Sequence, residues 1–118
     1  MRMNYFVVGT NDMISATKFY DALFAKADLH SVTPSERMTY WLGNDFAFAT
    51  AVPFDENPAS VGNGMMVGFS LGSSEEVNRL HALAIELGGS NEGDPGQRGP
   101  RYSAYVRDLD GNKICFSA

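Results

Sequence analysis

The sequence predicts an α+β fold of two similar halves, each running strand, helix, three strands. Three observations carry that prediction. Apolar residues recur at three- and four-residue steps in two segments, Asp12 to Ala27 and Ser73 to Leu87, the spacing of an amphipathic helix. A short strand-like segment precedes each helix, and short apolar runs broken by turn residues follow each. The halves also match at one constant offset: Tyr5 and Met66, Asp12 and Ser73, and Phe19 and Leu80 each lie 61 positions apart. One offset through a strand, a cap and a helix is the mark of an internal duplication, kept in pattern more than in residue identity.

Tyr5 to Gly9 is the first strand. The first helix has Asp12 as its N-cap and Met13, Ala16, Phe19, Tyr20, Leu23, Phe24 and Ala27 as its apolar stripe, with Asp28 where the stripe stops. Strands follow at Leu29 to Thr33, Arg37 to Leu42 and Asp45 to Ala51, and Gly43-Asn44 turns the chain between the last two. Pro53 to Gly64 has two prolines, the run Gly62-Asn63-Gly64 and no periodicity. It is expected to link a first module over 1–52 to a second over 65–118. Met65 to Leu71 is the next strand. In the second helix Ser73 and Glu76 have capping-box spacing, Val77, Leu80, Ala84 and Leu87 form the stripe, and Gly88-Gly89 ends it. Strands at Ser90 to Glu92, Tyr102 to Arg107 and Lys113 to Ser117 complete the half, with Asp110-Gly111-Asn112 as the last turn. Gly93 to Arg101 has five Gly or Pro residues and is expected to be a mobile loop at the mouth of a binding site.

At 118 residues, with 44% hydrophobic and 19% charged residues, the chain has the length and balance of one folded domain rather than a disordered segment. Nine Lys and Arg against 14 Asp and Glu give a net charge of −5, and the basic residues are scattered singly. That argues against nucleic acid and anionic membranes as partners. No apolar run approaches the ~20 residues of a membrane span. No signal-peptide pattern opens the sequence at Met1-Arg2-Met3-Asn4, so a cytoplasmic protein is expected. A single cysteine, Cys115, excludes an internal disulfide and a Cys-cluster zinc site.

Three stretches have a recognisable order and spacing. They are Val8-Gly9-Thr10-Asn11-Asp12 leading to Phe19-Tyr20-Asp21, Gly64-Met65-Met66-Val67-Gly68-Phe69 before the second helix, and Arg107-Asp108-Leu109-Asp110-Gly111-Asn112-Lys113-Ile114. Through them the sequence resembles the vicinal oxygen chelate superfamily, which includes glyoxalase I, bleomycin-resistance proteins and extradiol dioxygenases. The last stretch is close to the family's Asp-Pro-Asp-Gly-Asn turn, with Leu109 in place of proline. The resemblance spans nearly the whole chain. It implies two βαβββ modules whose strands form a curved mixed sheet around a cleft, with the helices outside.

The resemblance also implies a divalent metal, held by histidines on the first strand of each module and glutamates on the last. Position by position, the histidine sites fall on Tyr5 and Met66 and the second glutamate site on Cys115. The first glutamate site falls near Phe48, counting from the Gly43-Asn44 turn. Hard divalent cations need carboxylate or carbonyl oxygens, and zinc or iron sites use imidazoles and carboxylates. Of this set only Cys115 is a competent ligand, so neither metal nor cofactor is expected. By alternation Tyr5, Val7, Met66, Gly68, Lys113 and Cys115 face the cleft, while Phe6, Val8, Val67, Phe69, Ile114 and Phe116 pack on the helices.

The candidate ligand-binding residues are Tyr5, Phe48, Met66, Tyr102, Tyr105, Cys115 and Arg101. Tyrosines offer apolar area with a polar tip, which suits a ligand cleft as well as a half-buried sheet. Arg98 and Arg101 have the chemistry to clamp a carboxylate at the cleft mouth. Cys115 has only Lys113 on its face to activate it, and a free cysteine is commonly an inert, small hydrophobe. His30 lies on a strand within reach of the cleft, whereas His81 lies beside a helix stripe. Asp108, Asp110 and Asn112 are explained by turn chemistry more simply than by calcium. The expected function is that of a glyoxalase/bleomycin resistance/dioxygenase-like protein, metal-free, binding a small apolar or aromatic molecule as a homodimer. The alternatives are a metal-dependent lyase or dioxygenase with atypical ligands such as His30, and a non-catalytic interaction domain.

Overall fold

The computed structural model describes residues 1–118. They divide into two units, Met1–Ser60 and Val61–Ala118, each made of a strand, a helix and three strands. The first unit contains β1 (Tyr5–Gly9), α1 (Met13–Leu23), β2 (His30–Ser35), β3 (Met38–Leu42) and β4 (Ala47–Ala51). Its sheet has the order β1-β4-β3-β2, with β1 parallel to β4 and the other pairs antiparallel. The second unit contains β5 (Val67–Ser70), α2 (Ser74–Glu86), β6 (Ser90–Arg98), β7 (Arg101–Arg107) and β8 (Lys113–Ser117), ordered β5-β8-β7-β6 with the same pattern of directions. This is the βαβββ module twice, and neither sheet closes into a barrel.

Local chemistry sets each helix. The Asp12 carboxylate accepts hydrogen bonds from the Ser15 backbone N–H at 3.0 Å and the Ser15 hydroxyl at 2.7 Å, which fixes the start of α1. Those bonds hold the Asp12 carboxyl below its ordinary value. Ser73 caps α2 by accepting from the Glu76 N–H at 3.3 Å, and the Glu76 carboxylate grips Arg79 through two bonds of 2.8 and 2.7 Å. Gly88, at φ +104°, ends α2 in the left-handed conformation that glycine adopts without a Cβ penalty. The first helix stops at Leu23, short of the expected Ala27, and Phe24 closes it by donating its N–H to the Tyr20 carbonyl at 2.9 Å.

Each helix covers one face of its own sheet. In the first unit the strand register lines up Phe6, Phe48 and Trp41 on that face. With Tyr20 and Phe24 of the helix segment they form an aromatic core, the Tyr20 ring lying 4.8 Å from Phe48 and 5.3 Å from Trp41. The Trp41 indole donates to the Asp21 carboxylate at 3.0 Å, so its one polar atom is satisfied. The second core is mostly aliphatic: Val77, Leu80 and Ala84 of α2 meet Ala104, Val106, Ile114 and Phe116. The duplication thus preserved the pattern while the packing diverged.

One expectation is corrected. Gly93 to Arg98 is not a loop but the greater part of β6, paired to β7 through Gly93–Tyr105, Gly96–Ser103, Gln97–Tyr102 and Arg98–Arg101. Pro95 sits where the register breaks between Gly93 and Gly96, and Pro34 sits at the matching break in β2 between Val32 and Ser35. Both strands are sheet edges, where a missing N–H is tolerated at a bulge. These prolines are again 61 positions apart, so the duplication runs through the edge strand as well. The stretch from Pro53 to Ser60 lies in the first unit. The Asn11 side chain accepts from the Ala59 N–H at 2.6 Å and donates to the Ala59 carbonyl at 3.2 Å, which fastens 53–60 to the first unit.

Candidate functional site

The face of each sheet opposite its helix, here termed the open face, carries no helix of its own unit, and the strand alternation decides which side chains stand on it. In the first unit these include Tyr5 and Val7 of β1, Ala47 and Ala49 of β4, and Met38 and Tyr40 of β3. Tyr5 and Tyr40 meet edge to face at 6.4 Å, with Tyr5 53% exposed. Phe48 is not among them. It points to the helix side, 1% exposed and packed against Tyr20, because it is in register with Phe6 and Trp41. The residue that corresponds to Cys115 is Ala49: Ala49 pairs with Val7 as Cys115 pairs with Gly68, and Val7 and Gly68 are again 61 apart.

The open face of the second unit holds most of the chemistry. Across its centre run Gly68 of β5, Cys115 of β8, Tyr105 of β7 and Gly93 of β6 in one cross-strand row. The Arg98 guanidinium lies 5.0 Å from the centre of the Tyr105 ring, and the Lys113 ammonium lies 5.3 Å from it. Arg98 is fixed in that pose by donating to the backbone carbonyls of Asp94, at 2.7 Å, and of Ser103. Gly93 makes room for this: a Cβ there would stand 2.8 Å from the Tyr105 ring and 3.3 Å from the Arg98 guanidinium. At Gly68 a Cβ would meet nothing within 4 Å, so the floor beside Cys115 is open. Arg107 pairs with Glu92 at 2.6 Å and also donates to the Gly111 carbonyl at 2.9 Å. The Arg107 guanidinium holds the Glu92 carboxyl below its ordinary value.

Cys115 is 7% exposed. Burial pushes its thiol above the ordinary value, against the opposing pull of the Tyr105 hydroxyl and of the charges of Arg98, Arg101 and Lys113. It is therefore a neutral thiol at pH 7 rather than a nucleophile. Arg101 stands at the end of this face, paired with Arg98 across the strands. Met66, 48% exposed, lies one residue before β5. Tyr102 belongs to the other side: its hydroxyl donates to Asn78 of α2 at 2.7 Å, which removes it from the open face. His30 is exposed on β2, and His81 is buried with its Nε2 2.9 Å from the Asn91 side-chain oxygen. Asp108 is a turn anchor that accepts from the N–H groups of Asp110 and Asn112 at 3.0 and 2.9 Å.

The aromatic and sulfur positions of the sequence analysis thus separate into open-face groups (Tyr5, Tyr105, Cys115) and helix-side groups (Phe48, Tyr102). Lys113 and Arg107 join them through the alternation Arg101, Ser103, Tyr105, Arg107 and its neighbour Lys113, Cys115, a signal already present in the letters. The convergence of Arg98 on Tyr105 was hidden, because it needs a paired β6. No three His, Cys, Asp or Glu side chains stand together. Within the first unit Tyr5 and Ala49, and within the second Met66 and Cys115, offer no donor set that fits zinc, iron or manganese; Cys115 alone is a good ligand. A further groove of about 590 Å³, lined by Met13, Ile14, Thr17, Lys18, Thr33, Glu36 and Thr39, lies in the first unit beside α1.

No family model and no curated protein matches the chain. Solved structures do. A glyoxalase/bleomycin resistance protein from Albidiferax ferrireducens is 35% identical over 98% of this chain and 96% of its own, with a TM-score of 0.91. A glyoxalase/bleomycin resistance protein/dioxygenase family enzyme from Burkholderia phytofirmans has a TM-score of 0.80 at 15% identity, covering 99% of this chain and 98% of its own. A lactoylglutathione lyase from Agrobacterium tumefaciens has a TM-score of 0.74 at 18% identity, covering 98% and 92%. The last two are likenesses of fold.

Proposed function

The chain belongs to the glyoxalase/bleomycin resistance protein family, and we propose that within it this protein binds a small apolar or aromatic molecule without a metal. The observation that carries this reading is the open face of the second unit, where the Gly68–Cys115–Tyr105 row supplies a floor of aromatic and sulfur atoms. The position where the family resemblance calls for a glutamate holds a neutral thiol. Tyr5 and Tyr40 give the open face of the first unit the same aromatic character. Such surfaces bind by burying apolar area and orienting a few polar groups, which needs no Lewis acid. The protein acts as a homodimer in the cytoplasm; exposed Met3, Phe46 and Phe54 supply apolar area for a two-fold contact.

The test is a thermal-shift screen of small aromatic compounds, run with and without EDTA. A ligand at about 100 times its Kd stabilises the folded state by about 2.7 kcal/mol, roughly a 10 °C rise for a chain of this length. The expected result is a shift that EDTA leaves unchanged. A shift that appears only with added zinc, nickel or manganese would sink the reading, and so would a screen in which no compound shifts the transition.

A further inference from the structure

Four of the nine basic residues of this acidic chain stand on one face of one sheet, and strand pairing sets them against each other. Arg98 is the direct cross-strand partner of Arg101, and Arg107 is the direct partner of Lys113. Like charges opposite each other on neighbouring strands are destabilising. One pair is relieved: Glu92 binds Arg107 at 2.6 Å, and Lys113 also feels its charge. The other is not. Arg98 and Arg101 have no carboxylate within ion-pair distance, and Arg98 spends its donors on backbone carbonyls that neutralise nothing. Yet Arg98 is held in place over Tyr105 by three separate devices: those carbonyls, the ring itself and the space left by Gly93. A cation that is positioned but not neutralised, next to a second cation over the same ring and an open floor at Gly68, is arranged for an anion.

We propose that the open face of the second unit binds a small carboxylate, with the carboxylate group held by Arg98, Arg101 and Lys113 around Tyr105 and the rest of the molecule over Gly68 and Cys115. This rests on the small-molecule reading above and adds the ligand's charge. A guanidinium already turned toward its site loses little freedom when a carboxylate docks on it, so the planar two-donor fork favours a carboxylate over a neutral amide of the same shape. The bound anion also removes the Arg98–Arg101 repulsion, so ligand binding and stability rise together.

The probe is benzoate, with benzamide as its uncharged equivalent. Each is titrated into the intact protein and followed by amide NMR shifts and by melting temperature. Benzoate is expected to shift the signals of Gly68, Tyr105 and Cys115, to bind about tenfold more tightly than benzamide, and to weaken as sodium chloride rises from about 0.05 to about 0.5 M. Arg101→Gln and Lys113→Gln should each weaken benzoate about tenfold and leave benzamide unchanged. R101Q, an exposed position, should melt at or above the wild-type temperature in low salt, since it removes a repulsion, which keeps the test independent of misfolding. Lys18→Gln, in the first unit, should change nothing. Equal binding of benzoate and benzamide would overturn the carboxylate site and leave the aromatic-ligand reading standing. Failure of both compounds at tens of millimolar would overturn both, and benzoate binding indifferent to R101Q and K113Q would overturn the site.

Discussion

Thr50 is fully buried on the helix side of β4, and its hydroxyl has no hydrogen-bond partner. Its neighbour Thr39 shares its hydroxyl with Thr17 and Thr33, each at 3.2 Å. A buried, unpaired hydroxyl costs more than a methyl group in its place, so Thr50→Val should raise stability by about 1 kcal/mol in urea unfolding. Cys115 supports a pH prediction. Folding raises its pKa, so the neutral thiol contributes stability that is complete below its ordinary value of 9.0 and is lost as the pH climbs toward the raised one. Wild type should therefore lose more stability than Cys115→Ala above that pH, and iodoacetamide should label Cys115 slowly at pH 7. Glu92 has the opposite sign. Its carboxyl is lowered by Arg107, so its contribution is present above 4.5 and is lost as the pH falls through the folded value; Glu92→Gln should flatten that part of the acid unfolding curve.

Both N-caps and the Gly88-Gly89 stop were legible at the scale of the element, because capping is local chemistry within four residues. Ser73→Ala should cost about 1 kcal/mol through the lost bond to the Glu76 N–H, as read from thermal unfolding. Strand β6 was legible only over Ser90 to Glu92. The rest of it, Gly93 to Arg98, is rich in Gly and Pro, and no local rule makes these residues a strand. They pair because β7 supplies the partners and because Tyr105 and Arg98 occupy the room that Gly93 leaves. Gly93→Ala places a methyl group 2.8 Å from the Tyr105 ring, so either the ring or β6 must move. The expected outcome is a lower melting temperature, with faster amide exchange in β6 than in β7.

At the scale of the whole molecule, the family, the duplication and the module order rest on agreement among weak signals, and the proposed metal-free state rests on donor chemistry. Elemental analysis of the purified protein should find no stoichiometric zinc, nickel, iron or manganese, and Cys115→Ser should cost only about 1 kcal/mol of packing. One metal ion per chain, lost in that variant, would reverse the conclusion. Light scattering should give twice the 12.9 kDa of the chain at tens of micromolar, and a monomer mass would remove the dimer. No helix is long and apolar enough to cross a membrane.

The sequence alone determined what repeats: the 61-residue offset, the helix stripes and caps, and the alternation that sends Phe6, Val8, Ile114 and Phe116 inward. These are periodic properties, and periodicity is set by backbone geometry before any partner is chosen. Tertiary structure decided what depends on a partner strand. Counting from a turn placed Phe48 on the open face, but register with Phe6 and Trp41 turns it into the core and makes Ala49 the counterpart of Cys115. Likewise the Tyr102 hydroxyl donates to Asn78 of α2, which places Tyr102 on the helix side of β7. A one-residue difference in register exchanges the two faces of a strand, and only pairing fixes that register. The same pairing brought Arg98 and Arg101 together across β6 and β7, where two residues of chain separate two positive charges and the sheet holds them side by side.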